Sequence, residues 1–243
     1  GGAWRALARI HIAQTAYPLQ IVHHYALKRD EARDLCGVIT AATKRTLERM
    51  PGAPAKRVTD LPFAAIALRR LLRVTGAKRV VFSANGLREG WYARLLAPDA
   101  RADEPMLAAA RYLGHRLGRD PRLPEALFAW TSPLFDEESG PAALLRRAAC
   151  WISDSGSHDH PDYRAEQAFL RVLRQPGVGL DHHARAFLAL TVALRYEAAS
   201  DAPFLATSRV LLDVNAVRRA EVLGAALRLA FTLSGGTPEL LAG

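Results

Sequence analysis

Lys78-Arg-Val-Val-Phe-Ser-Ala-Asn-Gly-Leu-Arg-Glu-Gly-Trp-Tyr-Ala-Arg-Leu-Leu96 changes character twice along its length. Val80, Val81 and Phe82 form a short β-branched and aromatic run, which predicts a buried strand. Asn85-Gly86 is turn chemistry, because both residues tolerate φ > 0. From Leu87 the apolar residues fall at helical spacing through Tyr92, Leu95 and Leu96. Strand, glycine turn and helix in that order aim bare N–H groups and a positive dipole end beyond the strand, where an anion is favoured. Arg88 falls in the first helical turn, a place that suits a cation only beside a negative partner. The stretch predicts a phosphate corner.

A second corner opens the chain. Gly1-Gly2-Ala-Trp-Arg-Ala-Leu-Ala-Arg-Ile10 begins a helix with Ala3, Leu7, Ile10 and Ala13 on one stripe and Arg5 and Arg9 together on another. Two like charges near a helix start repel each other unless an anion lies between them. The competing expectation is a pair of solvated arginines.

Charge divides unevenly. Residues 1–96 hold 17 Lys/Arg against 6 Asp/Glu, a net of +11, while residues 97–243 hold 16 against 18, a net of −2. A basic section of that size suits a polyanion. Half the residues are apolar, which excludes a disordered chain. No apolar run has the length of a membrane span and no signal peptide is evident, so a cytoplasmic protein is expected, with no membrane partner. Cys36 and Cys150 lie far apart inside helical patterns and read as reduced structural thiols. A start at Gly1 without Met, almost at once helical, reads as a piece of a longer protein.

Between these corners Tyr17-Pro18 ends the first helix, and an extended link to Leu27 carries His23-His24, read as partly exposed and non-catalytic. A helix from Arg29 sends Leu35, Val38, Ile39 and Ala42 inward and breaks at Met50-Pro51-Gly52. The next, from Asp60, sends Ala65, Leu68, Leu71 and Leu72 inward, carries Arg69, Arg70 and Arg73 on a solvated face, and stops at Gly76. Ala97-Pro98 to Pro105 is short and polar and coincides with the change of charge sign, which places a boundary between residues 1–97 and 98–243. Beyond it the apolar residues recur only at helical spacing, predicting an all-α domain.

Ser153-Asp154-Ser-Gly-Ser-His158-Asp159-His160-Pro-Asp162 gathers potential metal ligands in one loop, with His182-His183 later in the chain. Asp154, His158, His160 and Asp162 could hold a divalent metal that activates water. The competing expectation is that Asp159 and Asp162 cap a helix starting near Pro161.

Three collinear segments resemble the exopolyphosphatase / guanosine pentaphosphate phosphohydrolase family: Gly1-Gly2-x-Trp4-Arg5-Ala-Leu-Ala-Arg9, Ser83-Ala-Asn-Gly86-Leu87-Arg88-Glu89-Gly90, and His160-Pro-Asp-Tyr-Arg-Ala-Glu-Gln167. Ala226-Leu-Arg-Leu-Ala230 and Leu233-Ser-Gly-Gly236 extend the likeness. The resemblance implies a mainly α chain: residues 1–97 as the end of the second lobe of an actin-like (ribonuclease H-like) α/β core, and 98–243 as an all-helical domain related to HD phosphohydrolases. It implies release of the terminal phosphoryl group of polyphosphate, or the 5′ phosphate of guanosine pentaphosphate, with Mg²⁺. The general-base carboxylate and most of the Mg²⁺ shell would come from an upstream lobe of the same protein. Carried over by position, Gly1, Gly2, Arg5, Ser83, Asn85, Gly86, Arg88 and Glu89 would line the substrate cleft. Ala3 stands where a hydroxyl residue is common, and Ser153 stands where an HD pair needs His. Other classes compatible with the residues are an HD-type metal phosphohydrolase and a basic nucleic-acid-binding module. Against the latter, the aromatics of the basic section, Phe63, Trp91 and Tyr92 among them, fall in apolar patterns. A homodimer is a further expectation, since a broken lobe leaves apolar surface to cover.

Overall fold

The computed structural model describes residues 2–241 and is mainly helical. The chain divides into two compact units, residues 1–101 and 102–243. The first holds α1 (Gly2–Gln14), β1 (Ala26–Lys28), α2 (Arg29–Ala41), α3 (Lys44–Arg49), α4 (Leu61–Thr75), β2 (Arg79–Val81) and α5 (Leu87–Ala93). α6 (Pro98–Ala102) crosses the division.

In the first unit α4 packs against α1 and α2, and the core is Leu7, Ile10, Ile12, Leu27, Ile39, Leu47, Leu61, Leu68 and Leu72. Gly76 stops α4 in the left-handed region at φ 66°, as the sequence predicts. β1 and β2 form an antiparallel two-stranded sheet with Ala26 opposite Val81 and Lys28 opposite Arg79.

Four expectations need correction. The strand starts one residue earlier than the apolar run and is an exposed ribbon: Phe82 is buried, but Val81 is 49% exposed. Two strands cannot cover both faces of a Val-Val-Phe run, so composition alone overstated its burial. α5 buries none of its residues, and Leu87 is 92% exposed. The helix expected over residues 29–50 is two, because the Thr43 hydroxyl accepts from Thr46 N (3.2 Å) and starts α3 afresh. Val38, Leu71 and Phe63 face outward, as do Trp91 and Tyr92, so the aromatics of this unit are less buried than their patterns suggest.

The second unit holds α7 (Pro105–Leu117), α8 (Leu123–Thr131), α9 (Gly140–Ile152), α10 (Arg164–Leu173), α11 (His182–Arg195), α12 (Ala206–Leu211) and α13 (Val214–Ser234). No strand occurs among its described residues, in agreement with the all-α expectation. α11 is the centre, buried nearly all round and packed against α9, α10, α12 and α13, while α7 and α8 pack on α9. Cys36 and Cys150 are buried free thiols, and burial pushes them up to about 11 and about 12. No helix among the described residues is long and apolar enough to cross a membrane.

Gly114 sets the approach of α7 to α9. A Cβ there would lie 2.5 Å from the Trp151 carbonyl oxygen, so even alanine forces the helices apart. Gly114→Ala is expected to cost about 1–3 kcal/mol, reversing the gain of about 1 kcal/mol that alanine brings at an open helical site. Amide exchange in α7 and α9 checks this; greater protection in the variant refutes it.

Candidate functional site

The loop after β2 is held from three sides. The Arg5 Nη1 on α1 donates to the Ala84 carbonyl. The His23 Nδ1 accepts from Ala84 N at 3.2 Å. The Ser83 hydroxyl accepts from Asn85 N at 3.0 Å. The first turn of α1 and the 83–85 loop share one hollow of about 470 Å³, whose lining includes Arg5, Ser83 and Asn85 but not Gly2, Gly86, Arg88 or Glu89. Trp4, Arg5, Arg79, Ser83 and Asn85 line it together with Leu68, Leu71, Leu72, Val80, Val81 and Phe82.

Gly2 begins α1 with a guanidinium beside it. A Cβ at Gly2 would stand 3.2 Å from the Arg57 Nη2, and Arg57 is in turn held by Asp60 at 3.2 Å. Gly1 lies outside the described residues. Arg9, on the other hand, is exposed and away from the loop's hydrogen bonds, as a solvated arginine is.

Gly86, Arg88 and Glu89 behave otherwise than expected. The Glu89 carboxylate accepts from Gly86 N at 2.7 Å, so the start of α5 already has its anion. That hydrogen bond holds the Glu89 carboxyl below its ordinary value, helped by Arg88. Arg88 Nε donates to the Glu89 Oε1 at 3.3 Å and otherwise faces solvent. The negative partner that Arg88 needs at a helix start is the next residue in the chain. A phosphate reaches Gly86 only by displacing that carboxylate.

The Asp/His segment of the second unit does not converge. Asp154 is 5% exposed and accepts from Arg119 N at 2.9 Å, Nε at 3.1 Å and Nη2 at 2.9 Å, with the Arg195 Nη2 at 3.6 Å. Guanidinium groups occupy the side of Asp154 that a metal would need. His158 and His160 are exposed, and the His160 Nδ1 accepts from Asp162 N. Among the described residues no three His, Cys, Asp or Glu side chains group as metal ligands. The capping expectation also fails: α10 begins after Tyr163 without a side-chain cap, and Asp159 instead binds Arg171 at 2.8 and 2.9 Å. The chain needs one more turn after Pro161 before it becomes helical, which moves both acids off the cap. His182 is buried and His183 exposed in the first turn of α11.

Residues 107–242 match the exopolyphosphatase C-terminal family. The chain belongs to that family. No curated protein matches it. Within this member of the exopolyphosphatase C-terminal family the match covers the helical unit, where Asp154 and Arg195 are buried and the half-exposed Arg119 binds Asp154. Sequence reasoning missed His23, Arg57 and Arg79 in the first unit and both arginines in the second. Arg195 had a readable signal, since it closes a helix apolar on every side, where a charge has no solvent to face. His23 and Arg57 had none, because only the fold brings them to Ala84 and Gly2.

Proposed function

We propose that this chain is the C-terminal part of an exopolyphosphatase, a hydrolase that removes the terminal phosphoryl group of inorganic polyphosphate. The family match over residues 107–242 carries the reading. The net charge of +11 over residues 1–96 supports it, since a long polyanion needs a basic track. So does the meeting of Arg5 with the 83–85 loop. Phosphoryl transfer needs positioning and charge neutralisation more than covalent help, and guanidinium groups with backbone N–H donors supply both. In this reading Arg5 and Arg88 meet substrate phosphates, with Arg88 leaving Glu89 to do so, and Ser83, Asn85 and Gly2 shape the approach.

The residues present do not make a Mg²⁺ shell. Glu89, the carboxylate at the loop, is already engaged by Gly86 and Arg88. The Mg²⁺ ligands and the general base would then come from an upstream lobe of the same protein. That lobe also suits the ribbon: among the described residues β2 pairs on one edge only, its residues line the hollow, and Val81 on it and Leu87, Trp91 and Leu95 after it are exposed.

One observation favours guanosine pentaphosphate as substrate instead. The hollow's apolar lining residues, Leu68, Leu71, Leu72, Val80, Val81 and Phe82, give a purine ring a surface that a bare polyphosphate does not use. Phosphate release separates the readings. Residues 1–243 alone are expected to release none from either compound, whereas the chain joined to its upstream lobe releases it from polyphosphate. Arg5→Ala in the joined protein should lower kcat/KM by about 30-fold, the equivalent of one charge-assisted contact of about 2 kcal/mol. Robust hydrolysis by residues 1–243 alone overturns the proposal.

A further inference from the structure

The helical unit has a hollow of its own, of about 420 Å³, lined from the first turns of α7, α9, α11 and α13. That volume falls within the range of about 300–1,000 Å³ that small-molecule pockets occupy. Its apolar lining includes Met106, Leu144, Leu145, Ala184 and Phe187, of which Met106, Ala184 and Phe187 are buried. Its polar side chains are Ser139, Asp181, His183 and Arg219. It shares no residue with the hollow of the first unit, so a ligand here goes beyond the hydrolysis proposed above.

Arg219 is the polar group here with donors to spare. Its hydrogen bonds, to Glu138 and to the Ala142 carbonyl at 3.2 Å, both leave from Nη2. Nε is buried without a partner, and among the described residues Nη1 has none either. Glu138 does not neutralise Arg219 alone. That carboxylate, 6% exposed, is shared with Arg146, so two guanidinium groups face a single negative charge. Arg219 is the more accessible of the two, and it is the one that lines the hollow. A surplus cation beside apolar side chains attracts an anion more strongly than one surrounded by water. Asp181 does not supply that anion: it caps α11, accepting from Ala184 N at 2.7 Å, and forms no ion pair with Arg219. α9, thirteen residues long, opens at the same hollow without a side-chain cap, and its dipole adds to the positive field.

We propose that this hollow binds a small monocarboxylate with an apolar body, its carboxylate against Arg219 and its hydrocarbon among Met106, Leu144, Leu145 and Phe187. One guanidinium with an unused amino group suits a single planar carboxylate. The apolar lining suits the hydrocarbon, which leaves water on entering. A polyanion leaves that lining unused and brings more charge than one surplus cation balances. An uncharged or cationic molecule leaves the arginine without its partner.

The chain contains two methionines, Met50 in the first unit and Met106 in the hollow, so methyl-¹³C methionine supplies one control and one reporter. The labelled chain is titrated with hexanoate, hexanol and hexylamine at constant ionic strength. The Met106 methyl resonance is expected to move saturably with hexanoate while that of Met50 stays in place. Hexanol should bind about 10-fold more weakly, for want of one charge-assisted contact, and hexylamine should not saturate. Arg219→Met leaves Glu138 one to one with Arg146 and should bring hexanoate down to the affinity of hexanol. Ala216→Leu, which fills the hollow from α13, should abolish the response to both. The comparison of hexanoate with hexanol needs no variant, so it decides the matter even where a substitution prevents folding. Three results overturn the proposal. Met106 moves no more than Met50. Hexanol or hexylamine binds as tightly as hexanoate, which makes the hollow an apolar crevice without anion recognition. Hexanoate keeps its advantage over hexanol in Arg219→Met, which puts the carboxylate elsewhere.

Discussion

Arg185→Met should destabilise the helical unit by about 3–5 kcal/mol, because each buried carbonyl left without a donor costs about 1–3 kcal/mol and relaxation recovers part of the sum. Arg185 is 1% exposed on α11 and turns back over the loop that precedes its own helix. Its Nε donates to the Leu180 carbonyl at 3.1 Å, Nη1 to Leu173 at 3.3 Å and to Gln175, and Nη2 to Gly177 at 3.3 Å. Leu173 ends α10, so one side chain supplies the donors that the helix end and its following loop lack. Burial lowers the guanidinium pKa from its ordinary value, with Asp181 acting in the opposite direction. An arginine nonetheless stays charged at neutral pH and keeps all five donors. Methionine retains the bulk of the stem and removes only the fork, so the loss reports the hydrogen bonds rather than a cavity. Arg185→Lys should recover little, since an ammonium on a flexible stem does not span four carbonyls. Amide exchange in α11 gives the opening free energy of this unit alone. A loss under about 1 kcal/mol would mean that water takes over the carbonyls, and the capping account of Arg185 would fail.

The reach of the sequence differed between the two units for a physical reason. Helical periodicity of Leu113, Leu127, Phe169, Phe187 and Leu227 reports directly on burial in a bundle, and each of these is buried. In the first unit the same patterns misled at Leu71, Val81 and Leu87, where apolar residues face outward. Composition says that a surface is to be covered, and it does not say by what. The phosphate corner shows the complementary limit. Gly86 and Arg88 were readable as a helix start with a cation, yet Glu89 completes the local charge balance through a bond of 2.7 Å from Gly86 N. A capping residue three positions into a helix carries the same acid that an anion site would seek, and sequence alone does not rank the two. Ion pairs between distant elements were less readable still. Asp154 meets Arg119 and Arg195, and Arg5 meets Ala84, only once helices have packed.

Glu138 is the strongest case of such a hidden partner, and its removal should be the most damaging change of a surface-type residue. Phe135-Asp-Glu-Glu138-Ser139 reads as a solvated acidic turn, but the Glu138 side chain is 6% exposed. Its Oε1 accepts from the Arg146 Nε at 2.7 Å, with the Arg146 Nη2 at an ion-pair distance of 2.6 Å, and its Oε2 accepts from Arg219 on α13. Arg146, 4% exposed, spends its remaining donors on the Phe128 carbonyl and the Thr131 hydroxyl, both at 2.8 Å, with its guanidinium 4.0 Å from the Phe128 ring centroid. The carboxylate thus ties the turn before α9 to α9 and α13 and neutralises a deeply buried cation. Glu138→Ala strands that cation, which should cost about 3–5 kcal/mol. Removing both charges tests whether the cost lies in the orphaned partner rather than in the lost pair. Glu138→Ala with Arg146→Met should be less destabilised than the sum of the two single variants by about 1–3 kcal/mol, since neither charge is then left alone. Opening free energies from amide exchange in α9 and α13 supply the cycle. Strict additivity would show that Arg146 finds water or the Phe128 ring sufficient without Glu138, and the turn would then owe its position to the packing of Phe135 and Phe128 against that arginine instead.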